Sequence, residues 1–79
     1  MRIYDFRGER NICGERVRLA RRKLKLTQKR LAEKMRDEGV TIERDCISRI
    51  ELGVRIVTDF ELCALCKVLG VSSADLLGF

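Results

Sequence analysis

The sequence predicts an all-α domain, a compact bundle of five short helices. Three observations carry that expectation. There is no proline and there are only four aromatic side chains, while Lys, Arg, Glu and Leu, which favour helix, are abundant. Apolar residues recur at spacings of three and four along most of the chain. Cap-forming residues precede these periodic stretches and glycines follow them. Seventy-nine residues make one domain, near the lower limit for a chain that folds without staples. A hydrophobic content of 46% sets the chain apart from disordered ones.

Residues 1–11 show no period and read as an N-terminal arm. Ile3, Tyr4 and Phe6 are candidates to pack back, and Gly8 argues against a helix there. The domain proper spans 12–79. Its first helix runs from about Ile12 to Lys23, capped by Asn11, with Cys13, Val17, Ala20 and Leu24 inward. Thr27 caps the second, whose inner stripe is Leu31, Ala32 and Met35 and whose stop is Gly39. Val40 and Ile42 then return the chain inward.

The third helix, in TIERDCISRIELG (41–53), opens at Thr41 or Glu43 and ends at Gly53. At 100° per residue, Glu43, Ile47 and Ile50 share one side. Asp45, Ser48, Arg49 and Leu52 point the other way, with Arg44 at the edge. TDFE at 58–61 is a capping box opening a fourth helix that carries Leu62, Leu65, Cys66 and Leu69 and closes at Gly70. SSAD at 72–75 caps a last turn that buries Leu76 or Leu77.

The net charge of +5 is unevenly spread. Residues 1–36 hold 13 Lys and Arg against 4 Asp and Glu, and residues 37–79 hold 4 against 8. A basic half of that kind suits a polyanionic partner. Residues 41–53, by contrast, sum to −1.

Enzyme chemistry is not indicated. Without histidine no Ser-His or Cys-His pair exists, no glycine-rich phosphate loop appears, and no cofactor is implied. The four cysteines read as reduced, metal-free apolar residues, because Cys63 and Cys66 form a lone C-x-x-C and no histidine completes a zinc set. No run reaches membrane-spanning length and no leader opens the chain, so a soluble cytoplasmic protein is expected.

GERVRLARRKLKLTQKRLAEKM, then ISRIELG, then LCALCKVLGVSSADLL resembles the phage Cro/repressor, or XRE-like, helix-turn-helix family over residues 13–77. The most specific pieces are Thr27-Gln28 with Leu31-Ala32, and Ile47 to Glu51 with Gly53. The resemblance implies a lambda-repressor-like fold with its third helix in the DNA major groove and its second crossing above. It assigns base reading to Arg44, Asp45, Ser48 and Arg49, which overlaps the outward face of the wheel. It assigns phosphate positioning to Thr27, Gln28, Lys29 and Arg55, and a buried ion pair to Arg21 and Glu51. The implied function is a sequence-specific transcriptional regulator, a repressor, on a double-stranded operator. The implied state is a homodimer, and the apolar C-terminal end offers Leu76, Leu77 and Phe79 as candidate contacts. A protein-binding role in the same fold, such as an antitoxin on a toxin or a subunit of a larger regulator, is the alternative. Two departures stand out. The chain has about five residues more between Met35 and Ile47 than the family's short turn, lodged either in the second helix or in the loop after it. Lys25 occupies the place of a turn glycine.

Overall fold

The computed structural model describes residues 5–79, and the expected packing of Ile3 and Tyr4 lies outside them. Five helices follow one another: α1 Gly14–Lys23, α2 Gln28–Asp37, α3 Arg44–Glu51, α4 Asp59–Leu69 and α5 Ser73–Leu77. α3 packs on α1 and α2, α4 closes over α1 and α2, and α5 is wedged against α1 and α4. Among the described residues no helix is long and apolar enough to cross a membrane.

The core is built from one stripe of each helix. Val17 comes from α1, Leu31 and Met35 from α2, Ile47 and Ile50 from α3, Leu65 and Leu69 from α4, and Leu76 from α5. Full burial of each such side chain contributes about 1.5–3 kcal/mol, against about 1 kcal/mol for a cap. Burial therefore decides that these helices form, and caps decide where they begin. Thr27, Thr58 and Ser72 each accept a backbone N–H of the first turn, and Thr58 and Ser72 do so within reciprocal capping boxes.

Helix ends follow one pattern. After α2, Gly39 donates to the Arg36 carbonyl and Val40 to that of Met35, with Gly39 in the left-handed region at φ 86°. This is a Schellman closure. The additional residues therefore lie in the α2–α3 loop rather than in a longer α2, and buried Val40 and Ile42 pin that loop to the core. The same closure ends α1, where Lys25 donates to Arg22 and Leu26 to Arg21. Lys25 occupies the left-handed position itself, at φ 59°. It accepts the strained turn, a conformation that costs an L-residue roughly 1–2 kcal/mol.

Several expectations need correction. Leu24 is 48% exposed, because the closing turn carries it out of the α1 stripe. Glu43 holds the N-cap position of α3 without a side-chain capping bond, and pairs with Arg36 at 3.6 Å instead of facing inward. In α4 the buried stripe is Glu61, Ala64, Leu65 and Leu69, while Leu62 and Cys66 flank it half-buried. Of the cysteines only Cys13 is buried. Cys46 and Cys66 are half-buried and Cys63 is exposed. All four are free thiols, and burial pushes those of Cys13 and Cys66 above the ordinary range.

In the arm, Phe6 is exposed rather than packed back. Phe6 and Glu9 exchange both backbone hydrogen bonds around Arg7 and Gly8, each with positive φ, as in a two-residue hairpin turn.

Candidate nucleic-acid interface

α3 is eight residues long and presents two unlike sides. Ile47 and Ile50 are fully buried between α1 and α2. On the opposite side Arg44, Asp45 and Arg49 are exposed and Ser48 is half-buried, so all four expected base-reading residues lie on one outward surface. They differ in freedom. Arg44 Nη2 donates to Asp45 Oδ1 at 2.9 Å, and the two charges offset each other. Arg49 enters no ion pair among the described residues. Leu52, 72% exposed, and Val54 are exposed apolar residues at and just beyond the end of α3.

The amino end of α2 lies beside it. Thr27 Oγ1 accepts the Arg30 N–H at 3.0 Å, and Lys29 is exposed. The other first-turn N–H groups of α2 have no partner within the helix, which makes this end favourable to anions. Arg22, Lys23, Lys25 and Lys29 are exposed and in no ion pair among the described residues. The turn from α1 to α2 therefore carries much of the uncompensated positive charge.

Gln28 and Glu51 meet where α1, α2 and α3 converge. Arg21 Nε and Nη2 donate to Glu51 Oε2 and Oε1 at 2.6 and 3.1 Å, and Gln28 Nε2 donates to Oε1 at 3.0 Å. Arg21 Nη1 also donates to the Leu26 carbonyl at 2.8 Å. The carboxylate of Glu51, 8% exposed, thus ties the α1–α2 turn to the end of α3. Gln28 takes part in this joint, a contact its expected phosphate role does not include.

Arg55 is likewise held. Nη1 and Nη2 donate to Glu61 Oε1 and Oε2 at 2.9 and 3.0 Å, and Nη1 donates to the Ile56 carbonyl at 2.9 Å. Buried Glu61 also closes the capping box by accepting the Thr58 N–H. Burial pushes the Glu61 carboxyl up, but Arg55 and Thr58 outweigh it and leave it below the usual range.

Asn11, read as the cap of α1, lies two residues ahead of the actual N-cap, Cys13, because the helix begins only at Gly14, and it does more. Its Oδ1 accepts the N–H groups of Cys13 and Gly14 at 3.1 and 2.8 Å. Its Nδ2 donates to the carbonyls of Ile50 and Arg55 at 3.0 and 2.7 Å. Gly14, buried, lies so close to α3 that a Cβ there would overlap the Ile50 carbonyl oxygen. A glycine in a first helical turn, where it costs stability, was the available signal for that close approach. For the long-range bonds of Asn11 and the Arg55–Glu61 pair the sequence held no signal.

Comparison with known proteins completes the picture. A helix-turn-helix family model matches residues 17–76, from the middle of α1 into α5. Among curated proteins no relative matches the chain. Five helices in this order, a short α3 braced by α2 with its polar side outward, and a match over most of the length lead to one conclusion: the chain belongs to the DNA-binding helix-turn-helix family, of the phage Cro/repressor, XRE-like kind.

Proposed function

We propose that the protein is a sequence-specific transcriptional regulator, acting in the cytoplasm as a repressor on double-stranded operator DNA. The observation that supports this best is the outward side of α3, where Arg49, in no ion pair among the described residues, is exposed away from the buried Ile47–Ile50 stripe. In the major groove Arg49 offers paired donors to guanine O6 and N7, and Ser48 meets either kind of base. Arg44 serves a second base by releasing Asp45, or Asp45 accepts from a cytosine amino group while Arg44 orients it.

Thr27, Gln28 and Lys29 place phosphate at the α2 amino end. Arg55 uses three of its five N–H groups on Glu61 and Ile56. Cys46 also lies within hydrogen-bonding reach of this guanidinium, so the donor capacity left for a phosphate is offered from a side chain already fixed in place. Replacing Arg49 with alanine should cost about 1–3 kcal/mol of binding and relax preference at one base pair. Asp45→Ala should lower specificity if Asp45 reads cytosine, and tighten binding to all sequences if it only repels phosphate. Binding profiles on a randomised operator decide this, and unchanged profiles in both variants would sink the groove-reading assignment.

One α3 spans only a few base pairs, so we also propose a homodimer that reads two half-sites about 34 Å apart. Leu76 belongs to the protomer's own core, which leaves Leu77, half-buried, and Phe79, 84% exposed, as contacts. Footprinting with light scattering should show two chains on one near-palindromic site; one chain on an asymmetric site would refute it.

The net negative charge of residues 41–53 and the exposed Leu52, Val54 and Phe60 favour a second reading, a protein-binding module such as an antitoxin. Tight, salt-sensitive binding to a defined operator by the chain alone argues for the first.

A further inference from the structure

α3 is an eight-residue helix, about 12 Å long. Its amino end has no side-chain cap, since Glu43 turns away to Arg36. Its buried side is aliphatic, and contacts between Ile47, Ile50 and the core resist separation but not rocking, because dispersion is non-directional. Directional restraint is concentrated at the carboxyl end. Part of it is the Glu51 side chain, and the rest comes from the segment ahead of α1. Asn11 reaches the Ile50 carbonyl inside α3 and the Arg55 carbonyl in the loop beyond it, across 39 and 44 residues of sequence. The Arg10 N–H donates to the Gly53 carbonyl at 2.8 Å between them.

We infer that Asn11 is a positioning residue for base reading, setting the angle at which α3 presents Arg49 and Ser48. The inference rests on the groove-reading assignment of α3. A carboxamide accepts two bonds and donates two, and Asn11 makes all four. Its oxygen is fixed by the start of α1, so its nitrogen is aimed at α3 and the following loop with little freedom. Ile50 adjoins Arg49 in the last turn of α3. A rotation of about 10° about that end swings an arginine tip, roughly 6 Å from the helix axis, by roughly 1 Å, more than the 2.7–3.2 Å window of a good hydrogen bond tolerates. A two-bond contact to guanine is lost before the fold is.

Asn11 can be divided by substitution. Asn11→Ser keeps an acceptor suited to capping and removes both donors. Asn11→Asp keeps both cap bonds and sets a carboxylate oxygen against the two carbonyl oxygens. Each variant of the full chain is to be profiled on a randomised operator pool, with stability measured by denaturant unfolding and Arg49→Ala profiled in parallel. Both should remain folded, bind the preferred site about tenfold more weakly, and flatten preference at the base pair that Arg49→Ala flattens. Loss of stability with base preferences intact would make Asn11 merely structural and overturn the inference, as would failure of both variants to fold. If Arg49→Ala flattens a position and the Asn11 variants do not, only the inference falls. If Arg49→Ala changes nothing, groove reading falls and the inference falls with it.

Discussion

Removing the Glu51 carboxylate, as Glu51→Ala, should cost about 3–5 kcal/mol of folding stability. The magnitude follows from what is stranded. Arg21 is largely buried beside it, with a side-chain exposure of 13%, and would keep only its bond to the Leu26 carbonyl. Gln28 would lose its partner as well. Arg21→Ala strands Glu51 in turn, leaving Gln28 as its sole donor. The double variant removes both charges together, so its loss should fall well short of the sum of the two single losses. Domains are stable by only about 5–15 kcal/mol in total, and small ones lie toward the lower end. Either single variant should therefore show a population of unfolded chains near room temperature. Urea unfolding of the three variants tests this, and small additive losses would show that the pair contributes little.

Gly14→Ala should be nearly as damaging, at about 3 kcal/mol. On an open helix surface the same change would stabilise by about 0.5–1 kcal/mol, because alanine is the better helix former. Here the new methyl group would overlap the Ile50 carbonyl oxygen and lie 3.0 Å from that of Glu51. Both are backbone atoms at the end of α3, with no rotamer to yield. α1 must lift away from α3, which also breaks the geometry of Asn11. A fall in the melting temperature is expected, and a rise would show that the two helices are not this close.

How far the sequence foretold all this depended on the range of the interaction. Local rules found every helix, because capping boxes at Thr58 and Ser72, glycines at helix ends and the Ile47–Ile50 stripe act over a few residues. They also separated the outward side of α3 from the inward one, except at Glu43, where the wheel assumed a helix that had not yet begun. The Arg21–Glu51 pair was legible only through the resemblance, since nothing within either segment points to a partner 30 residues away. What stayed hidden was bonding between distant backbone and side-chain groups. Asn11 has the same signature as an ordinary cap whether or not partners wait across the fold, and Glu61 that of an ordinary capping box whether or not Arg55, a few residues earlier, turns back to it. The extra loop residues were visible as a count, and the expected stop at Gly39 and inward return of Val40 and Ile42, both present in the structure, put them in the loop.

The restraints that Asn11 and Arg10 place on α3 and the loop after it end on main-chain carbonyls, those of Ile50, Gly53 and Arg55. Every amino acid supplies a carbonyl, so these anchors are indifferent to which side chains occupy 44, 45, 48 and 49. The outer surface of the helix is free to drift through generations, or to be rewritten by an engineer, without loosening its mount. On the proposed groove-reading role, target sites change at those four positions while Asn11 and Gly14 keep the helix in place. Swapping only those four residues between homologues should transfer the preferred operator with them.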